Sequence, residues 1–245
     1  MSVSQASPPG AASLIAHAKL VLPKGAGLHP LVMLWHGCGG VQPYLADYAA
    51  AAVEAGMAAL IVDSFAPRGI SRLSAHATVC TGLRLRGVER ARDVFTLLAW
   101  ARTQAHIDAE RIALAGWSHG GWTIMEAFAR PPAALAHHLD QVRSVIAVYP
   151  YAGPLALTAR RGWGGRKPQV FGVLAEADQV VGTKAPEAAF RRLSADGLNV
   201  ELLRLAGATH AFDDAHASDP RTRHDPAHTA ACRAFFVEAL KQSLS

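Results

Sequence analysis

The stretch Arg111-Ile112-Ala113-Leu114-Ala115-Gly116-Trp117-Ser118-His119-Gly120-Gly121 runs from a short apolar segment straight into a serine flanked by glycines. Gly-x-Ser-x-Gly between a strand and a helix is the pattern of a nucleophile elbow, in which the serine occupies a sharp and strained turn. Bulky residues two positions to either side would clash there, and Gly116 and Gly120 make room. The turn lifts the hydroxyl above the sheet edge and points the first amides of the next helix at developing negative charge. A glycine-rich turn with Ser118 serving only as a helix N-cap is the competing reading, and the residues further out decide between the two.

A serine hydroxyl is a poor nucleophile at neutral pH and needs a base, which in turn needs an orienting carboxylate. On a strand-turn-helix elbow these follow in the order serine, acid, histidine. Asp178, in Leu174-Ala175-Glu176-Ala177-Asp178, lies just past an apolar strand, with Glu176 as the alternative acid. His210, in Leu205-Ala206-Gly207-Ala208-Thr209-His210-Ala211-Phe212, follows the last strand and is the expected general base. His119 adjoins Ser118, but consecutive helical positions do not face each other, so its backbone amide rather than its ring is expected to matter. That amide is one candidate oxyanion donor. The other is the amide of Cys38 in His36-Gly37-Cys38-Gly39-Gly40, where glycines let the backbone approach a substrate closely. Cys38 as a nucleophile would lack an adjacent base, and His36 reads as a buried residue that pins the loop.

Around this centre, short apolar runs alternate with helical ones, which favours a mostly parallel sheet covered on both faces. Strands are expected at 31–35, 58–62, 111–115, 144–149, 170–174 and 200–205, preceded by a hairpin arm through 18–22 whose turn is 23–30. Continuous apolar runs suit strands buried on both faces. Helices are expected at 45–55, 88–102, from beyond Ser118 to Pro131-Pro132, at 186–195 and at 229–240. The connections 66–87 and 152–168 are long enough to carry function.

A chain of 245 residues, 51% hydrophobic and 18% charged, can bury a sizeable core. One domain over 16–245 behind a flexible N-terminus, 1–15, is the expectation. The formal net charge is +5, but the arginines and lysines are scattered, so no nucleic-acid partner is expected. The N-terminus lacks a basic n-region followed by an apolar core, and no apolar run would span a bilayer, which excludes a membrane partner and points to a cytoplasmic protein. Three cysteines, Cys38, Cys80 and Cys232, are too few and dispersed for a disulfide scaffold or a structural zinc site, which makes a reducing compartment the default. A single Cys38–Cys80 disulfide stays open, and Cys232 reads as a small buried hydrophobe. The residues His210, Asp213, Asp214, His216, His224, Asp225 and His228 fit no familiar closed zinc pattern, so no metal is expected.

Taken together, His36-Gly37-Cys38-Gly39-Gly40, Val62-Asp63-Ser64-Phe65-Ala66-Pro67-Arg68-Gly69, the elbow at Ser118, Asp178 and His210-Ala211-Phe212 resemble the dienelactone hydrolase family of α/β hydrolases over roughly 31–240. The resemblance implies an α/β-hydrolase fold with an eight-stranded, mostly parallel sheet, a small or absent cap, and no metal or organic cofactor. The best-known members use a cysteine nucleophile to open a dienelactone ring. Ser118 in that place points instead to a general carboxylic ester or lactone hydrolase acting through a Ser118-His210-Asp178 triad and an acyl-enzyme. An acyltransferase or peptidase with the same triad, or a non-catalytic binding protein, are the alternatives. The substrate would be a small ester or lactone. Within 63–69, Asp63 is expected to brace the loop, whereas Arg68 either braces it or faces the pocket. Arg68, Trp117 and Tyr151 are the candidate substrate contacts, with Trp163 a further possible wall.

Overall fold

The computed structural model describes residues 8–244. Seven strands, β1 (Lys19–Val21), β2 (His29–Trp35), β3 (Ala58–Val62), β4 (Ile107–Trp117), β5 (Val142–Val148), β6 (Gln169–Ala175) and β7 (Val200–Leu205), form one sheet in the order β1-β3-β2-β4-β5-β6-β7. Every pairing is parallel except β1 against β3. This is the α/β-hydrolase arrangement that the resemblance implies, with seven strands among the described residues rather than eight. The expected hairpin between 18–22 and the next strand does not form. Because β2 is hydrogen-bonded to β3 on one side and β4 on the other, it offers no free edge, and β1 takes the outer edge of β3.

Alternation along β2 shows how the sheet divides the core. Leu31, Met33 and Trp35 face a layer built from α4 (Gly87–Ala101), α5 (His119–Ala129) and α7 (Lys184–Ala195). Val32 and Leu34 face α2 (Tyr44–Glu54) and α8 (Pro226–Leu244). Burial on both faces is why the inner stretches of the central strands are apolar at successive positions, as in the fully buried Ala58–Val62. The N-terminal segment read as flexible contains a short helix, α1 (Ala11–Ile15), whose Leu14 is buried in the first layer, while 1–7 lie outside the described residues.

The long connections carry structure of their own. In 66–87 a 3-10 turn at Ala66–Arg68 leads into α3 (Arg72–Thr78), whose N-cap Ser71 side chain accepts from the Ser74 amide. Phe65, Ile70, Ala75, Val79 and Leu85 form a small separate apolar cluster against which Cys38 packs. A disulfide joins Cys38 to Cys80. In 152–168 a single turn, α6 (Thr158–Arg161), precedes Trp163, which stacks on Phe128 in the core and is therefore not a pocket wall.

Candidate active site

Because β2, β4, β5, β6 and β7 are all parallel, their carboxyl ends lie along one edge, where a ligand crevice forms in open α/β sheets. Ser118 follows β4 with φ 52° and ψ −112°, conformations few non-glycine residues adopt. Its amide donates to Val148 O at 2.9 Å, which pins the turn to β5. The glycines around it are sterically required: a Cβ on Gly116 would stand 2.5 Å from the Gly120 carbonyl carbon, and one on Gly120 only 2.0 Å from Trp35 O. Tyr149 and Ala211 also have positive φ, so backbone strain gathers around this edge of the sheet.

The loops after β6 and β7 bring Asp178 and His210 to the serine. Ser118 Oγ lies 2.8 Å from His210 Nε2, and His210 Nδ1 lies 2.7 Å from Asp178 Oδ2. Asp178 Oδ1 accepts from the amides of Val180 and Val181 at 2.8 and 3.0 Å. Burial pushes the Asp178 carboxyl up, but the His210 contact and the two amides outweigh it and hold the group below its usual range. An ionised Asp178 requires the proton on Nδ1, which leaves Nε2 free to accept from the serine hydroxyl. Ser118, Asp178 and His210 are 8, 8 and 7% exposed. Glu176, the alternative acid, instead faces Arg204 on the surface.

The loop after β2 runs beside the serine, so that a Cβ on Gly37 would lie 3.5 Å from Ser118 Cβ. His36 fixes it. Its Nδ1 donates to Gly37 O at 2.6 Å while its Nε2 accepts from the Ser64 amide at 3.3 Å. Both bonds together demand a neutral ring, and burial, then the nearby charge of Arg90, lowers the His36 pKa accordingly. Gln42 Nε2 holds Gly39 O at 2.9 Å. The amide of Cys38 thus sits on a braced loop, and the amide of His119 opens α5, where a helix has no internal acceptor for it. The Cys38 sulfur is engaged in the disulfide and is not a free thiol. The His119 ring turns away from the serine to Arg90, 3.1 Å from Nδ1 to Nη1.

A cavity of about 560 Å³ opens over Ser118, His210 and the Cys38 loop. Trp122, Tyr151, Leu155, Val79 and Val181 supply its apolar surface. Of the residues expected to contact substrate, Tyr151 lines the cavity, packed against the Trp122 ring at 4.7 Å. Trp117 borders the cavity, but its indole is fully buried and donates to Asp213 Oδ2 at 2.8 Å. Arg68 is not a wall: it makes a bidentate pair with Asp93 at 2.7 and 2.9 Å and donates to Ser64 O. A buried carboxylate beneath the loop captures the guanidinium, so Arg68 takes the bracing role, alongside Asp63, whose Oδ1 accepts from the amides of Phe65 and Ala66.

Three residues at the site carry no sequence motif. Arg90, fully buried on α4, donates to His36 O at 2.8 Å. Burial, reinforced by Arg68 and opposed by Asp93, lowers its pKa to about 9. Asp213 accepts from Tyr48, Trp117 and Tyr149, and the Tyr149 ring lies 4.7 Å from that of His210. The only sequence signal for Arg90 is its position four residues before Val94 on the apolar face of a helix. In the histidine- and aspartate-rich tail, Asp225 caps α8 through the amides of Ala227 and His228, and Asp214 accepts from the His216 amide. Among the described residues no three His, Cys, Asp or Glu side chains converge as metal ligands would, and no helix is long and apolar enough to cross a membrane.

A model of the dienelactone hydrolase family matches residues 16–243. Among solved structures, a putative dienelactone hydrolase from Klebsiella pneumoniae subsp. pneumoniae superimposes with a TM-score of 0.71 at 18% identity, covering 92% of each chain. A dienelactone hydrolase-like promiscuous phosphotriesterase from metagenomic libraries gives a TM-score of 0.74 at 17% identity, covering 93% of this chain and 92% of the other. Est1E from Butyrivibrio proteoclasticus, solved with ferulic acid, gives 0.63 at 19% identity, covering 92% and 95%. At these identities the likeness concerns the fold. An uncharacterized 31.7 kDa protein of the Escherichia coli traX-finO intergenic region is 34% identical over 110 residues, 44% of this chain and 36% of that relative, so the match spans about a third of the relative's length.

Proposed function

The chain belongs to the dienelactone hydrolase family, and on that premise we propose that it hydrolyses carboxylic esters or lactones with Ser118 as nucleophile, His210 as general base and Asp178 as the orienting acid. The observation that carries the reading is the unbroken chain from Ser118 Oγ through His210 to Asp178, at 2.8 and 2.7 Å. In the proposed reaction His210 Nε2 takes the hydroxyl proton as Ser118 Oγ attacks the ester carbonyl, and Asp178 stabilises the imidazolium through Nδ1–H. The carbonyl oxygen becomes an oxyanion facing the amides of Cys38 and His119. His210 then returns its proton to the leaving alkoxide, or to the ring oxygen of a lactone. Water attacks the acyl-Ser118 ester by the same route and frees the acid.

A fluorophosphonate tests the assignment, because its phosphorus reacts selectively with an activated serine hydroxyl and displaces fluoride. The expected result is an adduct on the peptide containing Ser118, found by mass spectrometry and absent from His210→Ala. Ser118→Ala should keep its fold and lose at least about 10⁴-fold in kcat on a p-nitrophenyl ester. Wild-type turnover by a purified Ser118→Ala protein would sink the reading.

A further inference from the structure

We infer that Arg90 is a positioning residue for this reaction, whose guanidinium joins the two chain segments that carry the oxyanion-binding amides and fixes the spacing between them. The inference rests on the proposed reading of Ser118 and of the amides of Cys38 and His119.

Arg90 is fully buried, yet its surroundings do little to repay the loss of hydration. Among the described residues no carboxylate oxygen lies within the 4.0 Å of an ion pair, because the nearby Asp93 is taken up by the two bonds from Arg68. Among the described residues the Nε and Nη2 atoms have no hydrogen-bond partner. The guanidinium carbon lies 5.8 and 5.7 Å from the ring centroids of Trp35 and Phe65, which offsets part of the cost. An apolar side chain of similar length would fill this space without burying a charge, so stability alone gives little reason for an arginine.

The third nitrogen supplies the reason. Arg90 Nη1 donates to His36 O at 2.8 Å and lies 3.1 Å from His119 Nδ1. His36 O is the carbonyl from which the Gly37-Cys38 loop departs, and His119 is the residue whose amide opens α5. One nitrogen on α4 therefore bridges the end of β2 and the start of α5, the supports of the two amides. His119 Nδ1 can accept only from an unprotonated ring. Burial, followed by the charge of Arg90, pulls the His119 pKa down to about 3, so the acceptor is present at neutral pH.

The test uses Arg90→Met and Arg90→Lys in the full chain, with far-UV circular dichroism and thermal melting to establish folding. Turnover of a p-nitrophenyl ester and inhibition by an alkyl trifluoromethyl ketone, whose hemiketal carries the oxyanion, are then compared. A displaced donor is expected to lower kcat of Arg90→Met about 10–100-fold, somewhat less than outright loss of a donor. KM should stay within about threefold, and ketone affinity should fall in parallel with kcat/KM. Arg90→Lys, whose ammonium can still reach His36 O, should fall between the two. A purely structural role would lower the melting temperature and leave the ketone affinity of the folded fraction unchanged, which would overturn the inference, as would a folded Arg90→Met with wild-type kcat. If Arg90→Met does not fold, His119→Leu removes the acceptor on the elbow side while keeping the amide, and wild-type kcat there overturns it equally. Wild-type protein that a fluorophosphonate does not label at Ser118 refutes the nucleophile itself. Labelled wild type with an unimpaired Arg90→Met refutes only the role of Arg90.

Discussion

Asp213 lies three residues beyond His210, and the hydroxyls of Tyr48 and Tyr149 and the indole of Trp117 all converge on its carboxylate. Through Tyr149, whose ring packs against His210, and Trp117, which precedes the serine, one buried group ties together the ends of β4 and β5 and the histidine loop. Burial pushes its pKa up to about 6, against the three donors. A carboxyl raised in the fold stabilises the protein below its unfolded pKa, and that contribution is lost as pH rises through the folded value. From the ordinary 3.8 to about 6 the effect is at most about 3 kcal/mol. Between pH 4 and 7.5, urea unfolding should therefore show wild type losing more stability than Asp213→Asn, which cannot titrate, and parallel pH profiles would show that Asp213 keeps one protonation state across the range. Asp178 has the opposite sign. Its pKa is lowered, so its contribution is present above the ordinary carboxylate range and is lost as pH falls through the folded value. Ser118, Asp178 and His210 are legible in the sequence because each stands at a strand end beside small residues. Asp213 and Arg90 are not, because their roles arise from side chains 29 to 165 residues away that only the fold brings together.

At the level of elements, the strands expected at 58–62 and 200–205 coincide with β3 and β7, the first fully buried and the second an edge strand that carries Glu201 and Arg204, and the strands at 31–35, 111–115 and 170–174 are extended at one or both ends. A strand buried on both faces leaves a continuous apolar signature, whereas the choice of neighbour leaves none, which is why 18–22 is visible as a segment and its pairing with β3 is not. The turns within 66–87 and 152–168 are short and mostly polar, and a helix the length of Thr158–Arg161 has too few positions to show a period. Glycines separate two kinds of tight packing. On Gly120 a Cβ would meet the backbone of Trp35 and His36, which cannot yield without moving the elbow, whereas on Gly172 it would meet the ends of Leu202 and Phe190 at 2.6 Å. Gly172→Ala should cost about 1–3 kcal/mol as the side chains shift, leaving fluorophosphonate labelling intact. Gly120→Ala should cost more and abolish labelling even in the folded fraction. Equal destabilisation of the two variants, measured by urea unfolding, would mean that the elbow adapts as readily as the core.

For the molecule as a whole, the sheet fixes the positions of Ser118, Asp178 and His210, but one side of the cavity is formed by 79–82, outside the two main core layers and packed through its own small cluster. The Cys38–Cys80 disulfide ties this segment to the loop bearing the proposed oxyanion amide, across a sequence separation of 42 residues. Such bonds persist in oxidising compartments and are rare in reducing ones. Closing a loop of that length stabilises the fold by up to about 4 kcal/mol in the chain-entropy view. For a chain of this size that corresponds to a loss on reduction on the order of 10 °C in melting temperature. Because the tether ends on the loop that carries the Cys38 amide, a dithiol should lower kcat as well, at temperatures where the reduced protein is still folded. Cys80→Ser should reproduce both effects and no longer respond to the dithiol. Coincident melts with and without reductant would mean that the apolar cluster of Phe65, Ile70, Ala75, Val79 and Leu85 holds this wall unaided, and a lowered melting temperature with unchanged kcat would place the tether's effect on stability alone.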